Sequence, residues 1–128
     1  RVLVPGGVLA VWTYETFRIE PQIDRLVGLF YHETLGAYWP AERRHVEDGY
    51  RSITFPWREL PAPQFALEEN WSLEEFLGYV ESWSALQRYR DANDDDPLVA
   101  LHATLEPLWP REALKRIHWP IHLRLGQR

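Results

Sequence analysis

Pro5-Gly6-Gly7, followed at once by Val8-Leu9-Ala10-Val11-Trp12, constrains the fold more than any other stretch of the chain. Proline cannot continue a helix and glycine tolerates positive φ, so the triplet reads as a turn and Arg1 to Val4 as the end of a helix before it. The apolar run after the turn is continuous rather than alternating, and its length and β-branched content suit a strand. Such a run is expected to be covered on both faces, as in a parallel sheet. The expected class is α/β.

Helical spacing appears three times further on. Pro21 suits a first helical position, and Ile23, Leu26, Val27, Phe30 and Tyr31 recur at intervals of three and four, predicting a helix that ends near Gly36. Ser72-Leu73-Glu74-Glu75 has the capping-box pattern, and Leu73, Phe76, Leu77, Val80, Trp83 and Leu86 continue it as one apolar stripe, predicting a helix from Ser72 to about Tyr89. Asp96 before Pro97 is a third start signal, with Leu98, Leu101 and Leu105 behind it and Pro107 and Pro110 as stops. Between Tyr38 and Pro63 the text is aromatic and broken by prolines; Tyr50, Ile53 and Phe55 offer at best a short strand before Pro56. At the end, Ile117, Trp119, Ile121, Leu123 and Leu125 alternate with His118, Pro120, His122 and Arg124, the period of a half-buried strand. Pro120 has no amide for a ladder, which predicts an edge position or a bulge there.

A chain of 128 residues falls in the one-domain range, and with 45% hydrophobic and 26% charged residues it lies outside the composition of disordered chains. A net charge of -5 argues against a dedicated nucleic-acid binder, which needs clustered Lys and Arg, and leaves a small molecule as the better partner. The absence of Cys excludes a disulfide framework and a thiolate metal site, and a reducing cytoplasm is the simplest location. No apolar run approaches the roughly 20 residues of a membrane span. The chain begins with Arg1 rather than Met, directly before the turn, so its natural N-terminus is expected upstream.

Catalytic motifs are absent in sequence. There is no G-x-G-x-x-G, no G-x-x-x-x-G-K, no G-x-S-x-G and no H-E-x-x-H. His118 and His122, four residues apart on a strand, are separated by about 13 Å and cannot share one ion, so both read as solvent-facing strand histidines. Asp94 to Asp96 lack calcium-loop spacing and read as helix capping. Most of the aromatics are expected in the core. Trp12 and Tyr14 differ, because they stand at the carboxyl end of the first strand, where open α/β sheets bind ligands.

Arg1 to Trp12 resembles the R-V-L-K-P-G-G-x-L segment of class I methyltransferases, in which a helix ends, turns and enters the fifth strand; Val4 stands where Lys is usual. Tyr50-Arg51, Phe55-Pro56, Trp71-Ser72-Leu73, Gly78-Tyr79, Ser82-Trp83-Ser84, Arg88-Tyr89 and the closing Trp119-Pro120-Ile121 to Leu125-Gly126 resemble the methyltransferase type 11 branch related to trans-aconitate methyltransferases. The resemblance implies the C-terminal portion of a Rossmann-like, mostly parallel sheet with a helical insertion over the active site, residues 1–128 being one part of a methyltransferase domain. It implies S-adenosylmethionine as methyl donor and a small-molecule acceptor. The family's cofactor-binding residues would lie before Arg1, so no residue here inherits a cofactor-binding role, and the resemblance names no catalytic residue. Trp12, Tyr14, Trp83 and Tyr89 are the implied walls of the acceptor pocket. Two rivals stand beside this reading: a non-catalytic structural or interaction module, and a helical ligand-binding module, the latter requiring Val8 to Trp12 to be helical. A half-sheet also exposes an edge and an apolar face through which the isolated piece can pair with another copy.

Overall fold

The computed structural model describes residues 3–128. The first two residues of the expected N-terminal helix end, Arg1 and Val2, lie outside them, and Leu3 and Val4 are not helical. The turn is present: Gly6 takes φ +80°, and the Gly7 amide donates to the Val4 carbonyl at 2.9 Å. β1 (Val8–Tyr14) follows it directly, as the apolar run predicts.

Sheet order is β1-β4-β2, where β2 is Arg58–Leu60 and β4 is Lys115–Gln127; β3 (Phe65–Trp71) also pairs with β4. β1 and β4 run antiparallel from Val8↔Gln127 to Tyr14↔Ile121, and β2 pairs antiparallel with β4 from Arg58↔Gln127 to Leu60↔Leu125. These pairings correct two expectations. The ladders of β1 and β2 in this chain are antiparallel rather than parallel, and β1 is not buried: Val8, Trp12 and Tyr14 are 49%, 61% and 40% exposed. Val8, Ala10, Trp12 and Tyr14 alternate onto one face of the strand, and that face is open, so an apolar run read as doubly covered is covered on one side only.

β4 is also central rather than an edge strand. Pro120 sits one residue before the β1 ladder begins at Ile121, where its missing amide removes no bond from that ladder, and its carbonyl accepts from the Glu15 amide at 2.8 Å.

Tertiary contacts divide the chain into two compact units. One comprises Arg1–Phe17, Glu42–Leu67 and His118–Arg128. Its helix α2 (Arg43–Glu47) leads into the segment 48–57, which lies over the sheet face that carries His122, Arg124 and Gly126. The short strand expected before Pro56 is instead β2, after it. Residues 50–55 stay irregular because Gly49 and Tyr50 both take φ +63°, turning the chain sharply.

The second unit comprises Arg18–Ala41 and Glu68–Ile117. α1 (Pro21–Leu29) continues into a wider turn at Phe30–Thr34 and buries Ile23, Val27, Phe30 and Tyr31 of the face predicted by spacing, with Leu26 half-buried and Leu35 added to it. α3 (Leu73–Glu81) opens on the predicted capping box: Ser72 Oγ accepts from the Glu75 amide at 3.2 Å and Glu75 Oε2 from the Ser72 amide at 2.8 Å. Phe76 and Val80 are fully buried as expected, while Leu77 and Trp83 are half-buried.

The single helix expected from Ser72 to Tyr89 is two. The Ser82 hydroxyl and amide both bond the Tyr79 carbonyl, at 2.6 and 3.1 Å, which tightens the last turn. Trp83 then takes an extended ψ of 127° and α4 (Ser84–Ala92) starts afresh. α5 (Pro97–Leu105) begins as read, with Asp96 Oδ1 accepting from the Leu98 amide at 3.0 Å. Trp109 closes this core. It is fully buried, stacks on Phe76 at 5.4 Å, and donates from Nε1 to the Ala113 carbonyl at 3.0 Å.

Candidate functional site

In the first unit a cavity of about 600 Å³ opens between β1 and the segment 50–57, with Val11, Trp12, Tyr50, Phe55, Trp57 and Arg124 in its walls. Its volume suits a small molecule, and its lining is mostly apolar and aromatic. The floor follows from strand alternation. Directly opposed residues share a face, so Leu9, Val11 and Thr13 of β1 lie beside Gly126, Arg124 and His122 of β4. Segment 49–55 crosses these three in order. Gly49 lies on the His122 ring, the Tyr50 and Ile53 carbonyls accept from Arg124 Nη1, and Phe55 lies on Gly126.

Both contacts at glycine depend on the missing side chain. A Cβ on Gly49 would lie 2.7 Å from His122 Cγ, and one on Gly126 would lie 2.2 Å from Phe55 Cε1. Tyr50, a non-glycine at φ +63°, is held in that conformation by its amide bond to the His45 carbonyl at 2.7 Å and by Arg124.

Arg124 uses four of its five N–H donors. Nε and Nη2 hold both oxygens of Glu59, Nη1 holds the two carbonyls, and the guanidinium lies 4.7 Å from the Phe55 ring centre. The hydrogen bond from Arg124 holds the Glu59 carboxyl below its ordinary range, and Glu59 in turn raises Arg124. At the carboxyl end of β1, His122 Nε2 and Glu15 Oε1 are 2.7 Å apart, with both side chains about one-third exposed, at 33% and 32%. Beyond Gly49, Ser52 ties the turn together: its hydroxyl meets His45 Nδ1 at 2.8 Å, and its hydrogen bonds to Asp48 hold that carboxyl low.

The four residues singled out in sequence fall in both units. Trp12 is a cavity wall. Tyr14 lies two residues further along the same open face of β1, outside the cavity lining. Trp83 belongs to an aromatic cluster in the second unit, 5.5 Å from Tyr31, 5.6 Å from Trp39 and 5.9 Å from Tyr79, ring centre to ring centre. Tyr89 pairs with Tyr38 at 5.0 Å and donates to Asp95 at 3.2 Å; burial, then the Asp95 charge, hold its hydroxyl above the ordinary tyrosine range.

Sequence reasoning missed Arg124, Glu59 and the pair of His122 with Glu15. It placed His122 in solvent, whereas the covering segment leaves it half-buried. The available signal was Asp48-Gly49, a turn dipeptide able to fold chain back over a strand. Among the described residues no group of three or more His, Asp or Glu could hold a metal ion, and no helix is long and apolar enough to cross a membrane.

No protein-family model matches the chain. It is similar to a Dictyostelium discoideum protein named "putative methyltransferase", at 26% identity over 135 residues, covering 100% of this chain and 51% of the relative. It is also similar to a solved structure titled as a "putative type II methyltransferase" from Anaeromyxobacter dehalogenans, at 42% identity and a TM-score of 0.91, covering 99% of this chain and 55% of that one. The chain spans about half the length of these relatives and shares the mixed α/β fold of the half it matches.

Proposed function

We propose that this chain is the C-terminal part of a methyltransferase that moves a methyl group from S-adenosylmethionine to a small-molecule acceptor in the cytoplasm, belonging to the class I, type 11 branch. The observation that carries the reading is the 42% identity, at a TM-score of 0.91 over 99% of the chain, to a protein titled as a methyltransferase. The open apolar face of β1 fits a piece whose remaining half packs there. The non-catalytic alternative has no observation of that weight behind it.

The lining of this cavity does not fit the nucleotide of the donor. Glu59, the carboxylate beside the cavity, is held by Arg124 through both oxygens, and the remaining walls are mostly apolar side chains, leaving no free acid for ribose hydroxyls. We therefore assign this chain to the acceptor side, where Trp12, in the wall of the first unit's cavity, orients and shields the acceptor. Alkyl transfer gains most from alignment of nucleophile and methyl group and from exclusion of water, which rigid aromatic walls supply. Calorimetric titration tests the division of labour. The 128-residue chain is expected not to bind S-adenosylmethionine, while the same chain extended upstream to the length of its relatives binds it and transfers the methyl group. Binding by the short chain, or an extended protein that binds no donor, overturns the reading.

A further inference from the structure

We propose that the cavity of the first unit takes a neutral, planar acceptor carrying a hydroxyl at one end, and that His122 Nδ1 holds the proton of that hydroxyl; this rests on the methyltransferase reading above. Trp12, Tyr50, Phe55 and Trp57 present ring surfaces suited to a flat apolar body. Arg124 is the cation in the walls, yet its charge is paired by Glu59, four of its five donors are held by Glu59 and two carbonyls, and its face lies over Phe55. A ligand carboxylate would therefore meet no free counter-ion there, and a desolvated unpaired charge is disfavoured.

The polar end is His122, which stands just beyond the cavity lining. It lies two residues from Arg124 on the same face of β4, about 7 Å along the strand, and its stacking partner Gly49 adjoins the cavity wall Tyr50. Glu15 Oε1 lies 2.7 Å from Nε2, a contact that suits the neutral tautomer with its hydrogen on Nε2, and in that tautomer Nδ1 carries a lone pair able to accept. No described residue bonds Nδ1, and one-third exposure of both side chains leaves them reachable. Gly49 sets the ring position, because any Cβ there would strike it.

Calorimetry on the 128-residue chain with 2-naphthol and 2-methoxynaphthalene tests this without any methyl donor. Wild type is expected to bind 2-naphthol about tenfold more tightly than its methyl ether, the worth of one hydrogen bond. His122→Leu abolishes that preference, while Trp57→Ala weakens both ligands alike. Equal affinities, no binding of either compound, or a preference that survives His122→Leu overturns the proposal. Should His122→Leu not fold, histidine-¹⁵N spectra of wild type decide: the His122 Nδ1 resonance moves with 2-naphthol and not with the ether, and an unmoved resonance in bound 2-naphthol overturns it. Failure of the methyltransferase reading would appear separately, as an upstream-extended protein without methyl transfer whose naphthol preference is intact.

Discussion

Gly126→Ala isolates the contact that seats the covering segment on the sheet. Gly126 pairs with Leu9 on one side and Glu59 on the other, and its φ is not positive, so the backbone accepts alanine and only space resists it. The new Cβ would lie 2.2, 2.8 and 3.0 Å from three atoms of the Phe55 ring. Ordinary carbon contacts are about 3.5–4.0 Å, so the ring must retreat by more than about 1 Å. Phe55 has little room to do so without loosening its edge contact with Trp57 at 6.3 Å and the Arg124 guanidinium at 4.7 Å. Overpacking of this kind costs about 1–3 kcal/mol, and the reduced freedom of alanine in the unfolded chain offsets about 0.4–1 kcal/mol. A net loss of about 0.5–2 kcal/mol is expected, read as a lower urea midpoint at unchanged slope by circular dichroism. Phe55→Leu in the same background removes the ring. The double variant should then be less destabilised than the sum of the singles by about 1 kcal/mol. A Gly126→Ala midpoint at or above wild type, or strict additivity with Phe55→Leu, refutes the reasoning.

Three further outcomes are expected. Ser72→Ala removes half of a reciprocal cap and should cost about 0.5–2 kcal/mol, whereas Ser84→Ala, at a helix start with no side-chain cap, should cost less; urea curves compare them. Trp109→Ala should lower stability by about 3–5 kcal/mol, since the ring is fully buried, while Trp12→Ala, 61% exposed, should leave the midpoint within about 1 kcal/mol and act on acceptor kinetics. Asp48, Glu59 and Asp96 have folded pKa values below their ordinary ones, through Ser52, Arg124 and Arg90 respectively. Their stabilisation is therefore complete above the unfolded carboxylate range, about pH 4–5, and is lost as pH falls through the depressed values. The urea midpoint should hold down to about pH 5 and drop below about pH 4; one that rises on acidification contradicts these partners.

What was legible in the sequence was local. The Pro-Gly-Gly turn, the Ser72 capping box and the Asp96-Pro97 start depend on chemistry within four residues, and each is found where it was read. The break at Ser82 was also local but ambiguous, because Trp83 continues the helical spacing of Phe76 and Val80 even though the chain leaves the helix. What was illegible was long-range. β3 carries charges on both faces and no buried residue, so no pattern marks it as a strand. The length of the β1 run suggested burial, but which neighbours a strand acquires is decided by β4, more than 100 residues later. The site suffers from the same distance. Arg124 meets Tyr50, Ile53 and Glu59 across 65 to 74 residues, and His122 meets Glu15 across 107, so no spacing rule could have joined them.

The exposure of Trp12 gives the molecule an intrinsic optical signal. Its indole stands 61% in solvent, while Trp109 and Trp119 are at 0% and 2%. An indole in water emits at longer wavelength than one in an apolar surrounding, so Trp12 contributes to the red side of the emission band, alongside the half-buried Trp39, Trp57, Trp71 and Trp83. Whatever settles on the open face of β1, whether a small aromatic, a second copy or the rest of a longer polypeptide, should shift that band to the blue and shield it from iodide. A Trp12→Phe chain supplies the blank, and the difference spectrum follows occupation of this face in real time without any label.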